Sequence, residues 1–167
     1  MGAKVIAVFK KVSSIPDKLF MKKLEKYCRG LTQIPLSKRE KYAKKVGKTS
    51  LNKESVFILG VLNKIEELSK IDILLSLFEY KMDEIIDDNT YRRLMLMVDR
   101  TMFSDLIYLK SNITDNPIVI ENDAEQGLLA NGWLCYAGQS WGTADEEGQF
   151  LYNYTNIAKR FCELINI

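Results

Sequence analysis

The segment SLNKESVFILGVLNKIEELS, residues 50–69, carries the clearest helical pattern in the chain. Its apolar side chains recur at intervals of three and four residues, which places them on one face of an α-helix. These apolar residues are Ile58, Val61, Leu62, Ile65 and Leu68. The pattern predicts a helix over residues 50–69 that forms the spine of a helical bundle.

Helical signals continue on both sides of this segment. Gly30 and Gly47 each follow a stretch with helical spacing, and a glycine at that place is typical of a helix end. The resulting predicted helices cover residues 17–29, 37–46, 72–83, 91–98 and 103–109. We therefore expect a mainly helical chain.

The residues after Lys110 have a different character, because turn formers and β-branched residues become frequent. The run Ile118-Val119-Ile120 predicts a short strand. A helix over residues 123–131 follows, then an antiparallel hairpin of residues 133–136 and 150–154. Thr155 is expected to cap a last helix. The predicted fold class is mainly α with a small β hairpin (α+β).

The length of 167 residues fits one domain, or one domain with an appended arm. We divide the chain into a basic N-terminal arm with short helices (residues 1–49), a helical bundle (50–110) and a C-terminal module (111–167). Residues 50–167 are expected to pack as one unit.

The net charge of +2 conceals a strong asymmetry along the chain. Residues 1–55 hold 15 basic and 4 acidic side chains, whereas the remainder holds 9 basic and 18 acidic ones. No Lys or Arg lies between Lys110 and Lys159. Either the basic zone (residues 1–55) and the acidic zone (residues 56–167) attract each other within the folded molecule or a homodimer, or they attract different partners.

Several classes of function are excluded or disfavoured by composition. The chain has no histidine, which rules out Ser-His-Asp and Cys-His nucleophiles and every zinc site that uses histidine. Its three cysteines are far apart, and no glycine-rich phosphate loop occurs. We therefore expect a protein that is not an enzyme, with no cofactor and no metal, in the reducing cytoplasm.

Two segments resemble a winged-helix module, a helix-turn-helix variant in which a hairpin forms the wing. GLLANGWL (residues 127–134) resembles the end of its recognition helix and the entry into the wing. YNYTNIA (residues 152–158) resembles the exit from the wing, although Tyr154 replaces the usual Leu and Ala158 the usual Gly. The resemblance covers about the last 45 residues. The whole chain is also similar to small helical proteins of bacteria and their phages.

A winged-helix module that binds DNA needs cations on the recognition helix and the wing. This chain has Asp123 and Glu125 on that helix instead, and acids at the predicted wing tip. We therefore expect a protein partner, bound through the wing by Trp141, Asp145, Glu146 and Glu147. The alternatives are that Trp141 covers the local core and that the three acids form a solvated loop. By analogy with compact phage and bacterial proteins, the chain is expected to be an inhibitor or effector in phage–host conflict.

The alternatives to a protein partner bound through the wing depend on the basic arm. On the predicted helix over residues 17–29, the cations share one narrow arc, opposite Phe20, Leu24 and Tyr27. The candidate binding cations of this helix and the next are Lys18, Lys22, Lys26, Arg29, Lys41, Lys44 and Lys45. They could bind anionic lipid, which would place the protein peripherally at a membrane, or nucleic acid, or they could form a solvated helical face.

Overall fold

The computed structural model describes residues 18–140 and 148–167. In this part the chain is mainly helical with a small two-stranded hairpin, which confirms the predicted fold class. It divides into two compact units, the first ending at Ile85 and the second beginning at Ile86. The sequence analysis placed the boundaries after residues 49 and 110 instead.

The described part of the first unit, residues 18–85, contains three helices: α1 (Lys18–Gln33), α2 (Leu36–Lys64) and α3 (Lys70–Met82). Each helix packs against the other two. Phe20, Leu24 and Tyr27 of α1 are buried, as their spacing predicted. The remaining core side chains come mainly from the second half of α2 and from α3: Ile58, Val61, Leu62, Ile71, Ile73, Leu74 and Leu77.

The predicted end of the first helix at Gly30 is wrong. Helix α1 continues to Gln33 and ends two residues before Pro35. A Cβ atom at position 30 would overlap the side chain of Leu75 on α3. Glycine at this position therefore permits the close approach of two helices.

Helix α2 is bent at Gly47, whose φ of 74° and ψ of 164° are not helical. The prediction that one helical stretch ends at Gly47 is confirmed. The prediction that the next helix extends to Ser69 is wrong, because α2 ends at Lys64 and Ile65 has an extended backbone. Ile65 is nevertheless fully buried. The apolar spacing that predicted one continuous helix therefore continues past the end of α2.

Residues 86–140 and 148–167 of the second unit contain four helices and the hairpin. Its elements in chain order are α4 (Asp88–Arg100), α5 (Phe103–Asn112), α6 (Asp123–Ala130), β1 (Leu134–Gln139), β2 (Phe150–Tyr154) and α7 (Asn156–Leu164). Trp133 is fully buried at the centre, with its ring centroid 4.9 Å from that of Phe161. Its indole N–H donates to Thr101 Oγ1 at 2.7 Å, so the polar atom of this large side chain is satisfied.

Strands β1 and β2 pair antiparallel, with an irregularity between Tyr136 and Gly138. This confirms the predicted hairpin. The predicted strand over residues 118–120 is reduced to one bridge, in which Ile118 and Tyr152 exchange N–H to carbonyl bonds of 2.9 Å. That bridge is on the opposite side of β2 from β1, because each strand offers one hydrogen-bonding edge to each neighbour.

Side chains at helix starts fix several boundaries. Thr155 Oγ1 accepts from the N–H of Ala158, so it caps α7 as predicted. The sequence also predicted Asp123 as the cap of the helix over residues 123–131, and this is wrong by one residue: the cap of α6 is Asn122, whose side chain accepts from the N–H of Glu125 at 3.0 Å, and Asp123 is the first helical residue. Asn and Asp serve equally well in this role, so neighbouring candidates are hard to separate by sequence.

Candidate functional site

The predicted wing residues Trp141, Asp145, Glu146 and Glu147 lie outside the described residues. The described part of the hairpin nevertheless has a distinctive surface of its own. Tyr136 pairs with Tyr152 and Leu134 with Tyr154, and directly opposed residues share one face of a sheet. Phe150 lies two residues before Tyr152 and so belongs to the same face.

This face passes from the core into solvent along the hairpin. At its base, Leu134 and Tyr154 are buried. Further out, Tyr136 is 59% exposed and Phe150 is 57% exposed. The rings of Tyr136 and Phe150 therefore face solvent and are not part of the core of the second unit.

The two exposed rings form a cluster with the half-buried ring of Tyr152, and we call this cluster the hairpin aromatic face: Tyr136, Phe150 and Tyr152. The ring of Tyr136 is 6.1 Å from that of Phe150 and 6.2 Å from that of Tyr152, with interplanar angles of 62° and 78°. These are edge-to-face arrangements, which aromatic pairs prefer. The three rings thus form one continuous aromatic surface.

The base of the hairpin is anchored by polar bonds. The N–H of Thr155 donates to the carbonyl of Trp133 at 3.0 Å, and the indole of Trp133 donates to Thr101. Burial raises the pKa of Tyr154 to about 12, so its phenol stays neutral at the hairpin base. The aromatic face therefore projects from a fixed support.

Glu125, one of the acids expected to repel DNA, has a structural role on α6. It is buried, and its carboxylate accepts from the Tyr108 hydroxyl and from the N–H of Glu121, both at 2.7 Å. The bond to Glu125 raises the pKa of Tyr108. This network ties α6 to α5 and helps to position the helix that precedes the hairpin.

Three of the predicted binding cations form ion pairs in the first unit. Lys26 Nζ lies 2.7 Å from Asp72 and donates to the carbonyl of Leu68, while Arg29 pairs with Glu25 on its own helix. Lys45 lies 2.6 Å from Glu84 and lowers the pKa of that carboxyl. The other four, Lys18, Lys22, Lys41 and Lys44, form no ion pair within residues 18–140 and 148–167.

Other cations of the same stretch, which were not singled out individually, also face inward or pair with acids. Lys23 is buried and donates to the carbonyls of Asn63 and Ile65 at the C-terminal end of α2. Lys38 binds Glu79 at 2.7 Å and Asp83 at 2.6 Å on α3. Attraction between the basic and acidic zones, the first interpretation of the charge asymmetry, thus operates inside this unit.

The described residues give few signs of reactive chemistry. Burial raises the pKa of Cys28, and it raises that of Cys162 to about 11, so both remain thiols at neutral pH. Within residues 18–140 and 148–167, no three acidic or cysteine side chains gather as metal ligands. No helix there combines the length and apolar composition that a membrane span requires.

Comparison with known proteins gives no match to this chain, whether with protein families, curated proteins or solved structures.

Proposed function

We propose that this chain is a non-catalytic binding protein whose hairpin aromatic face contacts a partner protein. The observation that carries the proposal is the cluster formed by the exposed rings of Tyr136 and Phe150 with the half-buried ring of Tyr152, on a hairpin that is anchored at its base. Tyrosine and phenylalanine are enriched at protein interfaces, where rigid rings bury much area at little entropic cost. An exposed aromatic cluster of this kind is typical of a binding surface.

The charge of the same unit favours a basic partner. The chain between Lys110 and Lys159 contains acidic residues and no Lys or Arg. Arginine and lysine on a partner would be attracted to this segment, and their cationic groups bind favourably over tyrosine rings. The phosphates of a DNA duplex would be repelled. We therefore infer a protein surface with a Lys- and Arg-rich rim around an apolar depression.

This role suits a winged-helix-like module adapted to protein contact. From α5 onward, the second unit has a helix, a β-bridge at Ile118, a helix, a hairpin and a closing helix, and the two segments that resemble a winged-helix module lie at the two ends of the hairpin. Such a module would present acids and rings where a DNA-binding protein expects phosphates and bases. It would then act as an inhibitor or effector of the protein it covers.

The proposal is tested by capture from a bacterial lysate with two matched double variants. Tyr136→Ser with Phe150→Ser removes the exposed rings of the hairpin. Met102→Ser with Ile107→Ser removes apolar side chains that are 65% and 44% exposed elsewhere in the same unit. We expect the unchanged chain and the control variant to retain the same basic protein, and the hairpin variant to lose it.

The retained protein is then purified and its affinity measured by calorimetry. Because each central ring at an interface contributes substantially, the hairpin variant should bind about a hundredfold more weakly. Higher salt should weaken binding, since the rim is electrostatic. Equal affinity of the two variants, or a partner without a basic surface, would contradict the proposal.

A second function is favoured by the four predicted binding cations that form no ion pair within residues 18–140 and 148–167: Lys18, Lys22, Lys41 and Lys44. They would bind nucleic acid or anionic lipid through the first unit. In a salt series with duplex DNA and with anionic vesicles, Lys18→Gln with Lys22→Gln should weaken binding for every sequence or lipid mixture alike. Unchanged binding by this variant would exclude α1 as the contact.

A further inference from the structure

A cleft of about 710 Å³ lies in the second unit, where the first turns of α4 and α7 line the same space. The lining residues are Asp87, Asn89, Thr90, Arg93, Met97, Gly132, Thr155, Asn156, Ile157 and Arg160. None of them belongs to the hairpin aromatic face. A volume of this size is in the range of small-molecule binding sites.

The charged groups of the cleft are two arginines and one aspartate. Arg93 is exposed and forms no ion pair within the part of the chain that the structure describes. Arg160 pairs with Glu163 one turn further along α7, at 2.8 Å. Asp87 stays ionised, because its carboxylate accepts from the N–H of Thr90 at 2.6 Å and that bond lowers its pKa. The charges of the three lining groups sum to +1, and since Glu163 offsets Arg160, Arg93 is the cation that an anionic ligand would meet first.

The polar and apolar lining is also divided between the two helices. Asn89 and Asn156 bring side-chain amides from the first turns of α4 and α7, which can donate and accept hydrogen bonds. Met97 and Ile157 supply apolar surface. The positive ends of both helices add to the field of the two guanidinium groups.

We propose that this cleft binds a phosphorylated small molecule about the size of a mononucleotide. Its phosphate lies between Arg93 and Arg160, because guanidinium groups bind phosphate oxygens in pairs with matching geometry. Its organic part contacts Met97 and Ile157, and the amides of Asn89 and Asn156 orient it. The site is separate from the proposed protein interface, so either can be wrong without the other.

The test is calorimetry on the full chain with two probes, inorganic phosphate and adenosine 5′-monophosphate. Arg93→Gln removes one cation of the cleft. Arg100→Gln is the matched control, because it makes the same change at an exposed position at the other end of α4. We expect adenosine 5′-monophosphate to bind more tightly than phosphate, Arg93→Gln to weaken its binding at least about tenfold, and Arg100→Gln to leave it unchanged.

Amide chemical shifts locate the ligand independently of affinity. Titration with adenosine 5′-monophosphate should move the signals of Asn89, Thr90, Asn156 and Ile157 more than those of the hairpin. Three results would each overturn the proposal: no binding at millimolar concentrations, equal weakening by Arg93→Gln and Arg100→Gln, or adenosine 5′-monophosphate binding no more tightly than inorganic phosphate.

Discussion

Lys23 illustrates how a single residue of a basic helix can be structural. The sequence placed the cations of α1 on an outward arc, yet Lys23 lies next to that arc and is 3% exposed. Its ammonium group donates to the carbonyl of Ile65 at 2.6 Å and to that of Asn63 at 3.3 Å. Carbonyls at a helix end lack partners within the helix, and a cation there is favourable.

We predict that Lys23→Met lowers the free energy of unfolding by about 2 kcal/mol, because buried carbonyls lose their donor. Lys22→Met is the matched control, since Lys22 is exposed on the same helix. Urea denaturation of both variants measures the difference. A loss of stability that is the same for the two variants would show that the buried bonds of Lys23 contribute nothing.

Tyr154 allows a prediction about pH at the residue scale. Burial raises its pKa from 10.0 to about 12, so the folded protein holds the phenolic proton more tightly than the unfolded chain does. This contribution to stability is fully present below pH 10 and is lost as the pH rises through 12.

We therefore expect Tyr154→Phe, which has no phenolic proton to lose, to be less sensitive to alkali than the unchanged chain. Between pH 9 and pH 12 the unchanged chain should lose about 1–2 kcal/mol of stability relative to the variant. Chemical denaturation at several pH values measures this difference. A difference that stays constant with pH would mean that Tyr154 titrates normally in the folded state.

At the scale of elements, α2 contains two glycines in opposite situations. Gly47 has a φ of 74° and a ψ of 164°, a region open to almost no other residue. Gly60 is exposed within the helix, and a Cβ atom there would meet nothing within 4 Å. The same substitution should therefore have opposite effects at the two positions.

We predict that Gly47→Ala destabilises the protein by about 1–3 kcal/mol through backbone strain. Gly60→Ala should stabilise it by about 0.5–1 kcal/mol, because alanine favours the helix and restricts the unfolded chain. Thermal unfolding of each variant gives the sign directly. Stabilisation by Gly47→Ala would contradict the bend assigned to α2, and destabilisation by Gly60→Ala would contradict the exposed helical position assigned to Gly60.

Elements with strong local signals were predictable from the sequence, and those that depend on distant neighbours were less so. The hairpin and the cap at Thr155 follow from alternation and capping chemistry, which are local. The role of Gly30 depends on Leu75, far along the chain, and the strand expected at Ile118 depends on a single pairing with Tyr152. No local pattern specifies either contact.

The candidate site was predicted only in outline. The sequence indicated the hairpin and its lack of cations, but it emphasised Trp141 and the wing-tip acids rather than the rings on the strands. The signal for those rings was available, because Phe150, Tyr152 and Tyr154 alternate along one strand. The sequence could not distinguish the buried ring of Tyr154 from the exposed ring of Phe150, since this depends on where the core ends.

At the scale of the whole molecule, the charge asymmetry of the sequence has a different consequence in each of the two units. Residues 18–85 contain 15 basic and 9 acidic side chains, and the ion pairs of Lys26, Lys38 and Lys45 with acids near or on α3 use part of that charge internally. In the second unit, the chain from residue 111 to residue 158 has no basic residue at all. Two of its acids are used internally, since Glu125 is buried and Asp115 pairs with Lys159, and the acidic excess of the rest of this segment would attract a basic partner.

Site-directed photo-crosslinking tests most directly whether the hairpin aromatic face is the binding surface. A photoreactive phenylalanine replaces Phe150 in one sample and Met102, which is at least as exposed, in the other. We predict that position 150 crosslinks in bacterial cells to one protein with a basic surface and that position 102 does not. Equal crosslinking from both positions, or none from position 150, would contradict the assignment of the hairpin as the interface.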